Sequence, residues 1–325
     1  MKIMNTLLSA TCVISLAATG CIKQDAPPDT IARAIPTNDQ VSIKLPANGA
    51  RDGASQRTLA SGARLDAPAL GQLSTYYLVT RGVTQMFNGG SAWVLILIHT
   101  IVAFPVTSVS GNTYTWGPWS GNALDPAIYK LDVTANGDGT FDYVLSGHAK
   151  SDPTNHFLAV VDGHADPRPG ELQANGTFLL DFDAAHTVNP IDNANNKGQV
   201  DVHYDLAAKH LDLTIMSTDA NGQPASAEYS YDETANGGGS MTFSVLANVG
   251  GTPAAETATI RSRWLATGAG RGDARIAGGD LGPAQAIASE CWSTAFNRVY
   301  YTDNASFAPT EGDVAQCAFA TADLP

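Results

Sequence analysis

Val200-Asp201-Val202-His203-Tyr204-Asp205 and, after a short break, His210-Leu211-Asp212-Leu213-Thr214-Ile215 decide the fold. Apolar and polar side chains alternate one by one. Successive side chains of a strand point to opposite faces, so each run has one face that must be buried and one that stays wet. The same period places Phe141, Tyr143 and Leu145 on one face, then Phe178, Leu180 and Phe182, then Tyr229 and Tyr231, then Met241, Phe243 and Val245. Their intervening neighbours include Asp142, Asp181, Asp183, Glu228 and Asp232.

Between the runs an Ala-Asn-Gly triplet recurs, at Ala135-Asn136-Gly137, Ala174-Asn175-Gly176, Ala220-Asn221-Gly222 and Ala235-Asn236-Gly237. Asn-Gly suits the positive φ values of a type I′ hairpin, so the chain reads as a meander of about ten to twelve antiparallel strands. With 31 Gly and 17 Pro among 325 residues, the composition also favours many turns. The expected fold class is mainly β. The long antiparallel meander forms a strongly curved or barrel-like sheet around an N-terminal hydrophobic helical segment.

That segment is expected over 70–104. Leu73, Tyr76, Tyr77, Val79 and Val83 recur near a helical period, Asn88-Gly89-Gly90-Ser91 interrupts, and Ala92 to Phe104 is apolar nearly all round before Pro105 stops it. A helix apolar on every side is a buried one, and about 13 residues fall short of the roughly 20 a membrane span needs. The β-branched content of Ala92 to Phe104 also suits a buried strand.

Upstream, Met1-Lys2-Ile3-Met4-Asn5 is short and basic, and Thr6 to Ala18 is mostly apolar or small. This is the pattern of a secretory signal peptide. Ala18-Thr19-Gly20-Cys21 resembles the lipobox of bacterial lipoproteins, with Ala18 where that family usually carries Leu. The resemblance covers about the first 21 residues and implies processing before Cys21, diacylation of that cysteine and attachment to a membrane through acyl chains. Ile22, in place of the Asp that retains such proteins at the inner membrane, implies an outer-membrane lipoprotein facing the periplasm or the exterior. The expected organisation is then a signal peptide over 1–20, a lipidated N-terminus and flexible tether over 21–66, and a single mainly-β domain over 67–325. Breaker-rich stretches such as Ala26-Pro27-Pro28-Asp29 support the tether.

Cys12 lies in the signal and Cys21 is the acylation site, which leaves Cys291 and Cys317 as the pair free to form a disulfide in an oxidising compartment. That bridge is worth about 3 kcal/mol.

Function is much less legible. The 18 Lys+Arg stand against 31 Asp+Glu, a net charge of −13, which disfavours nucleic acid as a partner. Gly147-His148-Ala149 and Gly163-His164-Ala165, with His156 between them, raise a metal site, but the pairing expected around Asp152 keeps His164 apart from the other two. Asn136-Gly137-Asp138-Gly139-Thr140-Phe141-Asp142 spaces oxygens as a calcium loop does, without the full motif. Arg261 and Arg263 fall on the wet face, where ion pairs with acidic neighbours account for them. No G-x-S-x-G, P-loop, dinucleotide fingerprint or H-E-x-x-H occurs.

No catalytic residue, metal ligand or cofactor is therefore assigned. The leading expectation is a non-enzymatic lipoprotein with a structural or interaction role and a protein or lipid partner. The alternative is a carrier of lipid or another apolar ligand, with Trp116, Trp119, Tyr143, Tyr204 and Tyr229 lining its pocket. A metal-assisted hydrolase is the third class.

Overall fold

The computed structural model describes Val41, residues 69–85, Asn88, 106–121, 123–167, 174–193, 197–218, 224–247 and 254–324. Its strands are β1 (Ser108–Ser110), β2 (Thr113–Trp119), β3 (Ala127–Ala135), β4 (Phe141–Ala149), β5 (Leu158–Asp166), β6 (Asn175–Asp181), β7 (Gln199–Asp205) and β8 (His210–Thr218). They continue as β9 (Pro224–Glu233), β10 (Gly239–Ala247), β11 (Glu256–Trp264), β12 (Gly270–Ala277), β13 (Gln285–Trp292), β14 (Arg298–Asp303) and β15 (Glu311–Gly312). All fifteen form one antiparallel sheet in sequence order, β1 to β15.

The alternation read from sequence becomes continuous rows across this meander. One inner row runs Val133, Tyr143, Gly163, Phe178, Val202, Leu213, Tyr229, Phe243, Ile260. A second runs Phe141, Ala165, Gly176, Tyr204, Leu211, Tyr231, Met241. Most of these side chains are buried, and cross-strand packing of this kind is what stabilises a sheet. Large rings sit over small partners: a Cβ on Gly163 would stand 2.2 Å from Tyr143 Cζ, and one on Gly176 would stand 2.5 Å from the Tyr204 hydroxyl. Glycine is required at Gly163 by the close approach of the ring, and at Gly176 by the ring together with the His164 carbonyl oxygen, 2.3 Å from where a Cβ would stand.

Three expectations change. The sheet is open rather than closed into a barrel, since β1 and β15 sit at opposite ends of the strand order without pairing. They are three and two residues long, too short to supply a closing ladder, and short edges also resist pairing with other chains. The N-terminal helical segment over 70–104 is not supported as a unit: residues 75–85 are helical, while 89–105 lie outside the described residues. Phe182 and Asp183 leave the sheet. Asp181 Oδ1 accepts a hydrogen bond from Ala184 N at 2.8 Å, starting helix α1 (Phe182–Val188), which buries Ala185 and Val188 and packs on β4 and β5.

The helical residues 75–85 begin at Ser74, whose Oγ accepts a hydrogen bond from Tyr77 N at 3.1 Å. They lie against the inner face of the later strands: Thr80 and Ser262 hydroxyls are 2.6 Å apart, Tyr76 stands over Gly272, and Tyr77 stacks on Phe296 at 4.2 Å. On this inner face Glu290 and Arg298 form an ion pair, Nε to Oε1 at 3.1 Å, with 0% and 2% of their side chains exposed. Thr75 N also donates to Glu290 Oε1 at 3.0 Å, so the carboxylate is satisfied on two sides.

The Ala-Asn-Gly triplets diverge. Those at Asn136 and Asn236 lie in five-residue hairpin loops, 136–140 and 234–238, with Gly139 and Gly237 at positive φ. Asn175-Gly176 lies inside β6, because Tyr204 needs the bare glycine beneath it. Ala220-Asn221-Gly222 lies outside the described residues.

Candidate functional site

The outer face carries two polar rows. His203, Asp212, Ser230, Thr242 and Arg261 face outward in register across β7 to β11, and beside them Asp201, Thr214, Glu228, Ser244 and Thr259 do the same. Ser230, Thr242 and Ser244 are short, while Asp212, Glu228 and Arg261 around them are longer. The difference in length leaves a hollow of about 310 Å³, lined by Asp212, Thr214, Glu228, Ser230, Thr242 and Ser244.

Its electrostatics are set from the β7–β9 side. His210 is clamped between two carboxylates, Nε2 to Asp212 Oδ2 at 2.9 Å and Nδ1 to Asp232 Oδ1 at 2.7 Å. Burial draws the imidazole pKa down, but the hydrogen bonds and charges of Asp212 and Asp232 outweigh it and the net shift is upward. Partial burial pushes the Asp212 carboxyl up. The Ser230 hydroxyl, His210 and the charge of His203 reverse this and hold it below the usual carboxylate range. Asp212 is thus anionic at neutral pH. On the far side Arg261 Nη1 donates to Thr242 Oγ1 at 3.2 Å, and the Ser244 and Thr259 hydroxyls are 2.9 Å apart.

Ser230, Asp212 and His210 are the components of a hydrolytic triad in the wrong order. A triad needs the imidazole between the hydroxyl and the carboxylate, so that it can take the serine proton. Here the carboxylate is in the middle, and both ring nitrogens of His210 are engaged by carboxylates. The hollow offers anionic and hydroxyl acceptors without an activated nucleophile, an arrangement suited to binding a cation or a polyol.

The five aromatic residues read as a pocket lining sit elsewhere. Trp116, Tyr143, Tyr204 and Tyr229 are buried on the inner face at 0–4% exposure, and Trp119 is half-buried in β2. Tyr204 tilts against Phe178 at 6.3 Å. Trp116 is inner on the neighbouring row through Leu131, and Tyr229 faces Thr84 of the helical segment. The rings are therefore spread along packed rows. Burial pushes the Tyr143 and Tyr204 hydroxyls well above the ordinary phenol range, and neither hydroxyl has a hydrogen-bond partner among the described residues.

The histidines weighed as metal ligands are engaged separately. His148 Nδ1 lies 2.9 Å from Ala149 O with its ring edge-on to Phe157, His156 N donates to Asp152, and His164 Nδ1 lies 2.6 Å from Asp142 Oδ1. Among the described residues no three His, Cys, Asp or Glu side chains converge as a metal site. In the loop weighed for calcium, Asp138 Oδ1 accepts from Thr140 N and Oγ1, and Asn136 Nδ2 donates to Asp142 Oδ2, so a hairpin accounts for its oxygens.

Cys291 and Cys317 form the disulfide expected from the cysteine count, with Cα atoms 5.4 Å apart. Cys21 lies outside the described residues. The hollow was not read from sequence. Its signal, three short polar residues among longer ones, appears only once β8, β9 and β10 are placed in register. Comparison of the chain with protein-family models, with curated proteins and with solved structures finds no match.

Proposed function

We propose that the chain is a lipid-anchored protein of the bacterial outer membrane, held through Cys21, whose sheet serves as a non-enzymatic interaction module. Its recognition surface is the hollow on β8 to β10, and the ligand class that suits it is a cationic polyol, such as an amino-sugar oligomer. One observation carries this reading: two carboxylates and four hydroxyls converge on an open hollow of the wet face, while the inner face is filled by its own rings. The carboxylates would meet ammonium groups, and the hydroxyls would exchange hydrogen bonds with the sugar.

The test is a calorimetric titration of the full mature chain, made soluble by Cys21→Ser, with a glucosamine trimer. Saturable binding that falls at least tenfold in Glu228→Gln and in Ser244→Arg, and weakens as salt is raised, supports the reading. Binding unaffected by both substitutions, or none, removes it.

The carrier reading keeps one supporting observation, the buried hydroxyls of Tyr143 and Tyr204, which have no hydrogen-bond partner among the described residues. Buried polar groups normally have partners, and the head of a bound apolar molecule would provide one. Native mass spectrometry of the purified protein decides it: a co-purifying lipid that Tyr143→Phe releases supports a carrier, and lipid-free protein rejects it.

A further inference from the structure

After β15 the chain turns through a short 3-10 turn, Val314–Gln316, reaches Cys317, and then crosses the outer face of β11 to β13 without regular structure. Three arginines hold this last segment. Arg271 Nη1 donates to Phe319 O at 3.3 Å and Ala320 O at 3.0 Å, and Arg263 Nη2 donates to Thr321 O at 2.7 Å with its guanidinium 5.0 Å above the Phe319 ring. Arg261 Nε pairs with Asp323 Oδ2 at 2.7 Å, and Asp323 N donates to Asp273 Oδ2 at 3.0 Å. Covalently, the segment is joined to the sheet by Cys291–Cys317.

The two sulfurs are in unlike surroundings. Cys291 is fully buried in β13, with Arg271 Nη1 3.9 Å from its Sγ, whereas Cys317 is half-buried at the edge of the 3-10 turn. We propose that this disulfide is a redox-active latch, opened by a dithiol while the sheet stays folded, and that opening it frees residues 318–324 as a strap.

In the opening step a thiolate of the dithiol attacks Cys317 Sγ, the protein S–S bond breaks, and its electron pair leaves on Cys291 Sγ as a thiolate. The second thiol of the reagent then resolves the mixed disulfide. The dithiol ends as a cyclic disulfide, Cys317 as a thiol, Cys291 as a thiolate, and one proton passes to solvent. A good leaving thiolate is what makes a disulfide labile, and a guanidinium beside the sulfur provides it. The new thiolate also competes with Phe319 O and Ala320 O for Arg271, so reduction weakens the strap's attachment as well as cutting its covalent link.

The sheet beneath does not depend on the strap for charge balance. Asp273, fully buried, keeps Arg271 Nε at 2.8 Å, Ser289 Oγ at 2.6 Å and Arg263 Nη2 at 3.3 Å. A departing strap vacates Arg261, Arg263 and Arg271 without leaving a buried carboxylate unpaired.

The experiment is a redox titration of the full mature chain in buffers of reduced and oxidised dithiothreitol, a dithiol, with hydrogen exchange followed by mass spectrometry at each end point. Reduction is expected to raise exchange at the Asp323 amide, which donates to Asp273 Oδ2, at least tenfold and to leave β11 to β13 protected. Arg271→Met is expected to make the bond about tenfold harder to reduce, about 30 mV for a two-electron couple, and Arg271→Lys to restore most of that. Asp323→Ala, which removes the strap's carboxylate from Arg261 and Arg263 and leaves the Asp273 pairs in place, should make reduction easier. An ordinary structural disulfide behaves otherwise: the Asp323 amide stays protected after reduction, or the sheet loses protection with it, and either result overturns the proposal. Should Arg271→Met make reduction easier, as Asp323→Ala does, Arg271 merely docks the strap and the thiolate argument is wrong. The exchange measurement on the unsubstituted chain keeps the proposal testable if Arg271→Met does not fold.

Discussion

Gly163→Ala tests the packing of the inner face at its tightest point. The new Cβ would stand 2.2 Å from Tyr143 Cζ, 2.5 Å from its hydroxyl oxygen and 2.6 Å from Cε2. Ordinary contact is about 3.4 Å or more, so the ring must retreat by roughly 1.2 Å. It has little room to do so, being 0% exposed and flanked in its row by Val133 at 0% and, past Gly163, Phe178 at 1%. Overpacking of this kind costs about 1–3 kcal/mol, and the reduced freedom of the unfolded chain returns about 0.4–1 kcal/mol. The net expectation is a loss of about 1.3 kcal/mol in a urea titration of the non-lipidated chain followed by tryptophan fluorescence. Tyr143→Leu removes both Cζ and the hydroxyl, so Gly163→Ala should cost under about 0.5 kcal/mol in that background, a coupling of about 0.8 kcal/mol or more. Additive costs would mean that the ring does not lie over Gly163 and that the inner rows are misassigned.

Cys21→Ser should abolish fatty-acid incorporation and move the protein from the membrane fraction to the soluble periplasm; continued labelling of the variant would refute the lipobox reading. Arg298→Met leaves Glu290 buried beside the helical segment without its guanidinium and should cost about 3–5 kcal/mol in the same titration, against which a loss below about 1 kcal/mol would count. His210 should titrate above the ordinary histidine value of about 6.5 when followed by NMR of its ring protons, and Asp232→Asn should lower its midpoint. Since the folded value is the higher one, the small stability that His210 contributes is complete below about pH 6.5 and fades as pH rises through the folded value; a midpoint at or below the ordinary value would contradict the clamp.

The meander was legible because alternation is a property of each strand alone. Val200, Val202 and Tyr204 declare their face without reference to any neighbour, and the same is true from Phe141 to Val245. The disulfide was legible by counting. Closure into a barrel was not, because it depends on the lengths of the two outermost strands, and neither Ser108–Ser110 nor Glu311–Gly312 carries an apolar alternation long enough to read. Asn175-Gly176 misled for a related reason: the dipeptide is a turn signal locally, but the ring of Tyr204, distant in sequence, makes the glycine a packing residue. Phe182 kept the period of the strand before it, while the Asp181 cap turned the chain into α1.

The candidate site shows the limit more sharply. Asp212, Ser230 and Thr242 are ordinary wet-face residues on three different strands, and only their register makes them neighbours. Arg263 has the ion pair expected with a neighbouring strand, to Asp273, whereas Arg261 pairs with Asp323 outside the strands. That Asp323 comes from the far end of the chain, folded back over β11 to β13, had no local signal.

Recognition through the hollow on the outer face is testable by amide chemical-shift mapping of the isotope-labelled, full mature Cys21→Ser chain during titration with the glucosamine trimer. Saturable shifts are expected at Asp212, Thr214, Glu228, Ser230, Thr242 and Ser244, with the amides of Tyr143, Gly163 and Phe178 unmoved. Shifts centred on those inner-row residues, or scattered without saturation over the acidic surface, would contradict it.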